Sequence, residues 1–194
     1  MIEIVLIRPG STDYDAQRRI QGSLSIPLNE QGADEVGRLV SELSGRGIQT
    51  VYAPEADPAQ QTAKALAKGL GVKLKRLDRM QNLDQGLWQG MLVDDVRQKQ
   101  PKVYKRWQEQ PENVCPPEGE MLGDAEDRVR AALAKLLRRH KVGVIGLVVP
   151  EPLASLVRHI LTHDDLGDLW KATSQSQGRW EVIAAEPEKL MAIH

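Results

Sequence analysis

Short apolar runs recur along this chain, and amphipathic stretches fill the intervals between them. An apolar run of about four to eight residues is too short for an ordinary helix and reads as a strand buried in a sheet. Residues 4–7 and residues 142–149 are the clearest such runs. Residues 50–53 and 72–77 read as two further strands, and residues 180–184 as a late edge strand. The intervals are helical in pattern. Asn29-Glu30-Gln31-Gly32 opens a helix with Ala33, Val36, Val40 and Leu43 on one face, and Gly45 and Gly47 stop it. Asp57 reads as an N-cap with Pro58 at the first helical position, and Gly71 ends that helix. Residues 94–110 continue a helical pattern that Pro101 interrupts. Asp124 reads as the cap of a helix bearing Val129, Leu133, Leu136 and Leu137. Its last turn, Arg138, Arg139 and His140, suits a solvated helix end. Residues 152–162 supply another helix. Strands alternating with helices predict an α/β fold, a three-layer α/β/α sandwich with a mostly parallel central sheet, as one domain over residues 1–194.

Composition narrows the rest. Phe is absent, so Leu, Val, Ile and Ala are expected to build the core. A formal net charge of -1 gives no reason to expect nucleic acid as a partner. No apolar stretch is long enough to cross a bilayer, and the start of the chain, with Glu3 and no basic residue before it, does not read as a signal peptide. A single cysteine, Cys115, cannot form an intrachain disulfide, which suits the cytoplasm. With no histidine near it in sequence, Cys115 reads as a bystander rather than a nucleophile. His159 and His163, followed by Asp164 and Asp165, have a spacing that could hold a metal, but solvated helix-end histidines are the expected reading. No metal and no cofactor is expected. Trp88 and Trp107 read as packing residues, while Trp170 and Trp180 have no role that the sequence assigns.

In a parallel sheet, chemistry gathers at the carboxyl ends of the strands. After the first strand comes Arg8-Pro9-Gly10-Ser11-Thr12, then Arg19-Ile20-Gln21-Gly22, then Pro27-Leu28-Asn29-Glu30-Gln31-Gly32. Further on stand Ala59-Gln60-Gln61-Thr62-Ala63, Gly86-Leu87-Trp88-Gln89-Gly90 and Pro116-Pro117-Glu118-Gly119-Glu120. In this order the segments resemble the signature of the histidine phosphatases of the phosphoglycerate-mutase type. The resemblance implies that fold, and it implies a role for particular positions. The nucleophilic histidine of the family falls on Pro9, the phosphate-gripping arginine on Pro58, the general-acid glutamate on Asn82 and the second histidine on Pro150. Of the main catalytic positions that the resemblance implies, Arg8 alone is retained.

A proline offers no lone pair for attack and an amide exchanges no proton at neutral pH, so these positions predict a chain without catalysis. The expectation is a non-enzymatic module that binds a small molecule or a protein in the former cleft. An enzyme with displaced chemistry and a structural subunit of an assembly are the alternatives, and the oligomeric state is left open. Arg8, Gly10, Ser11, Thr12, Arg19, Gln21 and Glu151 are the candidate ligand-binding residues. Backbone N–H groups near Gly10 and Ser11 are expected to remain as anion donors. Arg8 is read either as an anion anchor or as a group paired with a neighbouring carboxylate. Because Glu151 adds negative charge beside it, a neutral or singly charged ligand is expected.

Overall fold

The computed structural model describes residues 1–186 and residue 190. Five strands form one sheet in the order β3-β2-β4-β1-β5. They are β1 (Ile2–Ile7), β2 (Ile48–Ala53), β3 (Lys73–Arg76), β4 (Gly143–Val148) and β5 (Trp180–Ala185). β1, β2, β3 and β4 pair in parallel, and β5 closes the β1 edge antiparallel, with Ile7 opposite Trp180. The apolar runs become the central strands because burial on both faces leaves no polar side to display.

Side chains alternate across the sheet and feed two cores. Ile2, Ile4, Leu6, Tyr52, Ile145 and Leu147 point into the larger one. It is covered by α6 (Leu122–Arg139) and α7 (Leu153–Thr162), and by the short helices α4 (Val93–Lys99), α5 (Pro101–Glu109) and α8 (Leu169–Gln175). Val5, Ile7, Val51, Ala53 and Val148 point the other way, onto α2 (Glu30–Leu43) and α3 (Ala59–Leu70). The result is the α/β/α sandwich expected.

Several local expectations shift. Ala33 is exposed, and the buried stripe of α2 is Glu35, Val36, Leu39 and Leu43. Asp57 does not cap α3; its carboxylate accepts from Gln61 Nε2 at 3.2 Å, and Pro58 itself holds the cap position. Asp124 lies inside the first turn of α6, whose cap is Met121. His140 is not simply solvated: its Nε2 meets the Tyr52 hydroxyl at 2.7 Å, and burial, aided by Lys75 and Arg139, lowers its pKa. The core is not purely aliphatic either, since Trp88, Trp107 and Trp170 are buried in it. A short helix, α1 (Asp13–Gln17), follows β1 directly; together with α8 it is an element that periodicity did not show.

Glycines let the chain segments close over the strand ends. A Cβ on Gly10 would overlap the Gly32 carbonyl, and one on Gly32 would overlap the backbone of Ser11. The loop after β1 therefore lies directly on the first turn of α2, fastened by Asn29 N–H to the Ser11 carbonyl at 3.0 Å.

Candidate active-site cleft

The carboxyl ends of β1 and β4 lead into Arg8-Pro9-Gly10 and Pro150-Glu151-Pro152, and these two segments face one cleft. Pro58 at the start of α3 faces the same cleft, and Asp15 of α1, Arg19 and Gln21 complete its polar side. Its other wall is Ile20, Val93, Trp107 and Trp170. The inner cleft holds about 40 Å3, room for about three waters at roughly 10–15 Å3 each. It shares Asp15, Arg19, Val93, Trp170 and Thr173 with an outer groove of about 460 Å3. A narrow inner end therefore suits a small head group, and the groove suits a larger body.

The motifs that carried the resemblance dock on one another. Gln89 Oε1 accepts from Ser23 N–H at 2.7 Å, and Arg19 Nη1 donates to the Gly90 carbonyl at 2.7 Å. Glu120 N–H donates to the Asp84 carbonyl at 2.9 Å, and Arg128 clamps Glu120 while donating to the carbonyls of Arg79 and Gln81. Leu28 N–H donates to Gln61 Oε1 at 2.9 Å.

Arg8 lies on the cleft floor with its side chain 11% exposed. Its Nε donates to Glu151 Oε1 at 3.1 Å and its Nη1 to Glu181 Oε1 at 2.6 Å. Glu181 also meets Arg158 at 3.3 Å, and Arg158 meets Asp164 at 2.7 Å. Arg8 is thus a paired cation. The second oxygen of Glu151 accepts from the N–H and hydroxyl of Ser155, at 3.0 and 2.7 Å, so this carboxylate also holds the first turn of α7.

Asn82 is buried beside the cleft, in a small recess that also contains Pro150 and Gln21. Its Nδ2 donates to the carbonyls of Gly22 and Glu151, at 3.0 and 2.9 Å, and its Oδ1 accepts from Leu153 N–H at 3.3 Å. It ties three backbone segments together.

The candidate residues divide. Arg8, Pro9, Gly10, Arg19, Gln21, Pro58, Pro150 and Glu151 line the cleft. Ser11 and Thr12 do not. The Ser11 N–H and hydroxyl both donate to the buried carboxylate of Glu35, and Thr12 caps α1. The expected anion donors are committed as well, because Gly10 N–H already donates to Thr62 Oγ1 at 3.2 Å and Ser11 N–H to Glu35 at 2.8 Å. Cys115 is exposed and outside the cleft lining. Among the described residues no group of three His, Cys, Asp or Glu could hold a metal ion, and no helix is long and apolar enough to cross a membrane.

Sequence reasoning missed Asp15, Gln85, Trp170 and Glu181. Asp15 was hidden because Thr12-x-x-Asp15 is a capping box, in which Thr12 N–H donates to Asp15 Oδ2 at 2.7 Å. The same carboxyl faces the cleft, and Gln177 Nε2 donates to its other oxygen at 2.9 Å. Burial raises its pKa above the usual 3.8; the bonds from Thr12 and Gln177 oppose that, and the charge of Glu35 adds to it.

Comparison with known proteins follows this geometry. The chain matches the histidine phosphatase superfamily (branch 1) over residues 4–191. It is 31% identical over 153 residues to phosphoserine phosphatase 1 of Hydrogenobacter thermophilus, covering 77% of this chain and 72% of that one. It is 30% identical over 158 residues to a bifunctional protein of Mycobacterium tuberculosis, but spans only 43% of that protein's length. Among solved structures, Bacillus stearothermophilus YhfR superposes with a TM-score of 0.83 at 22% identity, over 96% of this chain and 97% of that one. A mycobacterial glucosyl-3-phosphoglycerate phosphatase complexed with VO3 gives 0.86 at 21% identity, over 97% and 93%. These relatives overturn the expectation of a non-enzyme: a protein that shares most of this chain at 31% identity bears an enzyme's name. That expectation treated the missing histidines as missing chemistry and overlooked a second carboxyl in the cleft beside Glu151, that of Asp15. The chain belongs to the histidine phosphatase superfamily.

Proposed function

We propose that the chain is a phosphatase-family enzyme with displaced chemistry, hydrolysing a phosphate ester of low charge by direct attack of water. Among the described residues no histidine lines the cleft, which favours a route without a phosphohistidine. The observation that carries the reading is Asp15, a carboxyl in the cleft whose pKa burial raises toward the range useful to a general base. In this scheme the phosphoryl head occupies the inner cleft beside Arg8 and Arg19. Asp15 takes a proton from water as the water oxygen bonds to phosphorus. The bond from phosphorus to the ester oxygen breaks, and the proton passes to the departing alkoxide. Inorganic phosphate and an alcohol leave. A Lys or Arg excess is lacking on the cleft floor, because Arg8 already faces Glu151 and Glu181, so a monoanionic ester suits it better than a dianion. The lone Cys115 agrees with a cytoplasmic setting.

The test is release of inorganic phosphate from phosphoserine and aryl phosphates, and release of an alcohol with a phosphomonoester from phosphodiesters. Asp15→Asn keeps an acceptor for Thr12 N–H but removes the base, and is expected to lower kcat about 10²–10⁴-fold. Native activity should fall on the acid side, through the raised pKa of Asp15. Turnover untouched by Asp15→Asn, or no turnover on any of the three classes, overturns the reading.

A further inference from the structure

Two stretches of this chain are far more basic than the rest. Residues 73–79 and residues 135–141 together hold eight Lys and Arg against one acid, Asp78, in a chain whose formal net charge is -1. The fold brings the two stretches side by side, β3 and its exit against the C-terminal half of α6. Their charges meet at His140, whose pKa is lowered by burial and then by Lys75 from one stretch and Arg139 from the other. Between the stretches lies a groove of about 400 Å3, within the range of small-molecule sites. Its floor is apolar, made by the buried Leu77, Ala132 and Leu136. Its rim is cationic. Arg76 there is neutralised by Glu55 and Asp78, each at 2.7 Å. Arg79, Lys135 and Arg139 have no ion pair and no side-chain hydrogen bond among the described residues. Like charges gathered without counter-charges repel one another, and a bound anion would relieve that repulsion.

The helix dipole gives Arg139 a structural reason to stand at the C-terminus of α6. Arg79, on the other side of the groove, has none. Its φ is 63°, in the left-handed region where Gly is unstrained and an arginine is not. Its carbonyl accepts from Arg128 Nη1 at 2.9 Å, a bond that any residue type would provide. What arginine adds at this position is a planar fork of donors, which suits phosphate and carboxylate oxygens. We propose that the groove between the end of β3 and α6 binds a small multivalent anion of phosphate or carboxylate chemistry, gripped by Arg79, Lys135 and Arg139. The groove shares no lining residue with the cleft, so this site goes beyond the phosphatase reading and stands without it.

The probes are tripolyphosphate and citrate, which carry several negative charges, with orthophosphate as the reference. Binding to the full chain is followed in metal-free buffer at physiological ionic strength by calorimetric titration and by amide shifts in 1H–15N NMR spectra. At least one of the two should bind about tenfold more tightly than orthophosphate, with shifts centred on residues 76–79 and 131–139. Tripolyphosphate alone would make the ligand a phosphate, and citrate alone a carboxylate; either result upholds the site. Lys135→Gln and Arg139→Gln should each weaken that probe about fivefold. Arg138→Gln removes the same charge just outside the groove, and should weaken it less than about twofold. Arg79→Gly should weaken binding while leaving the melting temperature unchanged or raised. Three outcomes overturn the proposal. They are no preference over orthophosphate, an Arg138→Gln loss as large as the Lys135→Gln and Arg139→Gln losses, and shifts centred on the cleft around Arg8 and Asp15. Binding of oligothymidylate at these residues while both small anions fail would assign the surface to nucleic acid and overturn it as well.

Discussion

Arg8 shows how one side chain can be retained while its availability changes. Two carboxylates, Glu151 and Glu181, share its guanidinium, and both must be outcompeted or rearranged before it can serve a dianion fully. Inorganic phosphate is accordingly expected to bind the native chain more weakly than about 100 μM, roughly 5.5 kcal/mol. Glu181→Gln removes one negative charge from the guanidinium without touching the α7 turn that Glu151 holds. That variant should tighten phosphate binding about tenfold, equivalent to about 1.4 kcal/mol, as read by calorimetric titration at physiological ionic strength. An unchanged affinity would mean that Arg8 does not face the anion. Asp15 makes a second residue-scale prediction. Its folded-state pKa lies above its unfolded value, so its contribution favours folding in acid and is lost as pH rises through the folded pKa. Asp15→Asn should therefore be at least as stable as the native chain at pH 7, with its relative advantage shrinking in acid. A melting-temperature difference that grows as the pH falls would contradict the shift.

At the scale of elements, the cleft depends on ties between loops. Asn82 joins Gly22, Glu151 and Leu153 through backbone groups alone. Asn82→Ala is expected to destabilise by about 1–3 kcal/mol for each backbone group it leaves unpaired, seen as a lower denaturation midpoint at constant m-value. A loss below about 0.5 kcal/mol, the range of a surface change, would show that water replaces the amide freely. The same ties explain what could be read from sequence. The strands were legible because fully apolar runs such as Val5-Leu6-Ile7 have one comfortable environment. Helix α3 was legible in extent, since Gly71 adopts the left-handed conformation at its end. Its start was not, because Asp57 found a partner in Gln61 rather than in the helix backbone. The short helices α1 and α8 give too few turns for a period to show. At the cleft, motif order located Arg8, Pro9, Pro58 and Pro150. It could not reveal Glu181, Gln85 or Trp170, which reach the neighbourhood of Arg8 or the cleft wall only through long-range packing. Ser11 misled because a hydroxyl beside a strand end looks available until the buried carboxylate of Glu35, 24 positions away, is seen to hold it.

For the molecule as a whole, the question is whether the helical cover of the cleft is an independent unit or part of the sheet's own core. Trp88 meets Trp107 edge-on at 6.2 Å, and the aromatic series continues through Trp170 to Tyr104. These rings belong to the same contiguous buried cluster as Ile4, Leu6, Ile145 and Leu147 of the central strands. No polar layer separates the α4, α5 and α8 helices from that cluster; their Val96, Trp107, Leu169 and Trp170 are buried within it. Removing the cover would expose indole and aliphatic area together, at about 25 cal/mol per Å2 of apolar surface. The cover is therefore too strongly coupled to the sheet to open alone at equilibrium. Unfolding in urea, followed in parallel by tryptophan fluorescence and far-UV circular dichroism, should give coincident midpoints and a single transition. Fluorescence mainly reports the cover, since Trp107 and Trp170 lie in it and Trp88 packs against Trp107, once Trp180 on β5 is replaced by Phe, while circular dichroism reports all the helices and strands. A fluorescence transition that clearly precedes the other would show that the cover is a separate unit. In that case the cleft wall formed by Trp107 and Trp170 would have to be preordered by its ligand rather than by the fold.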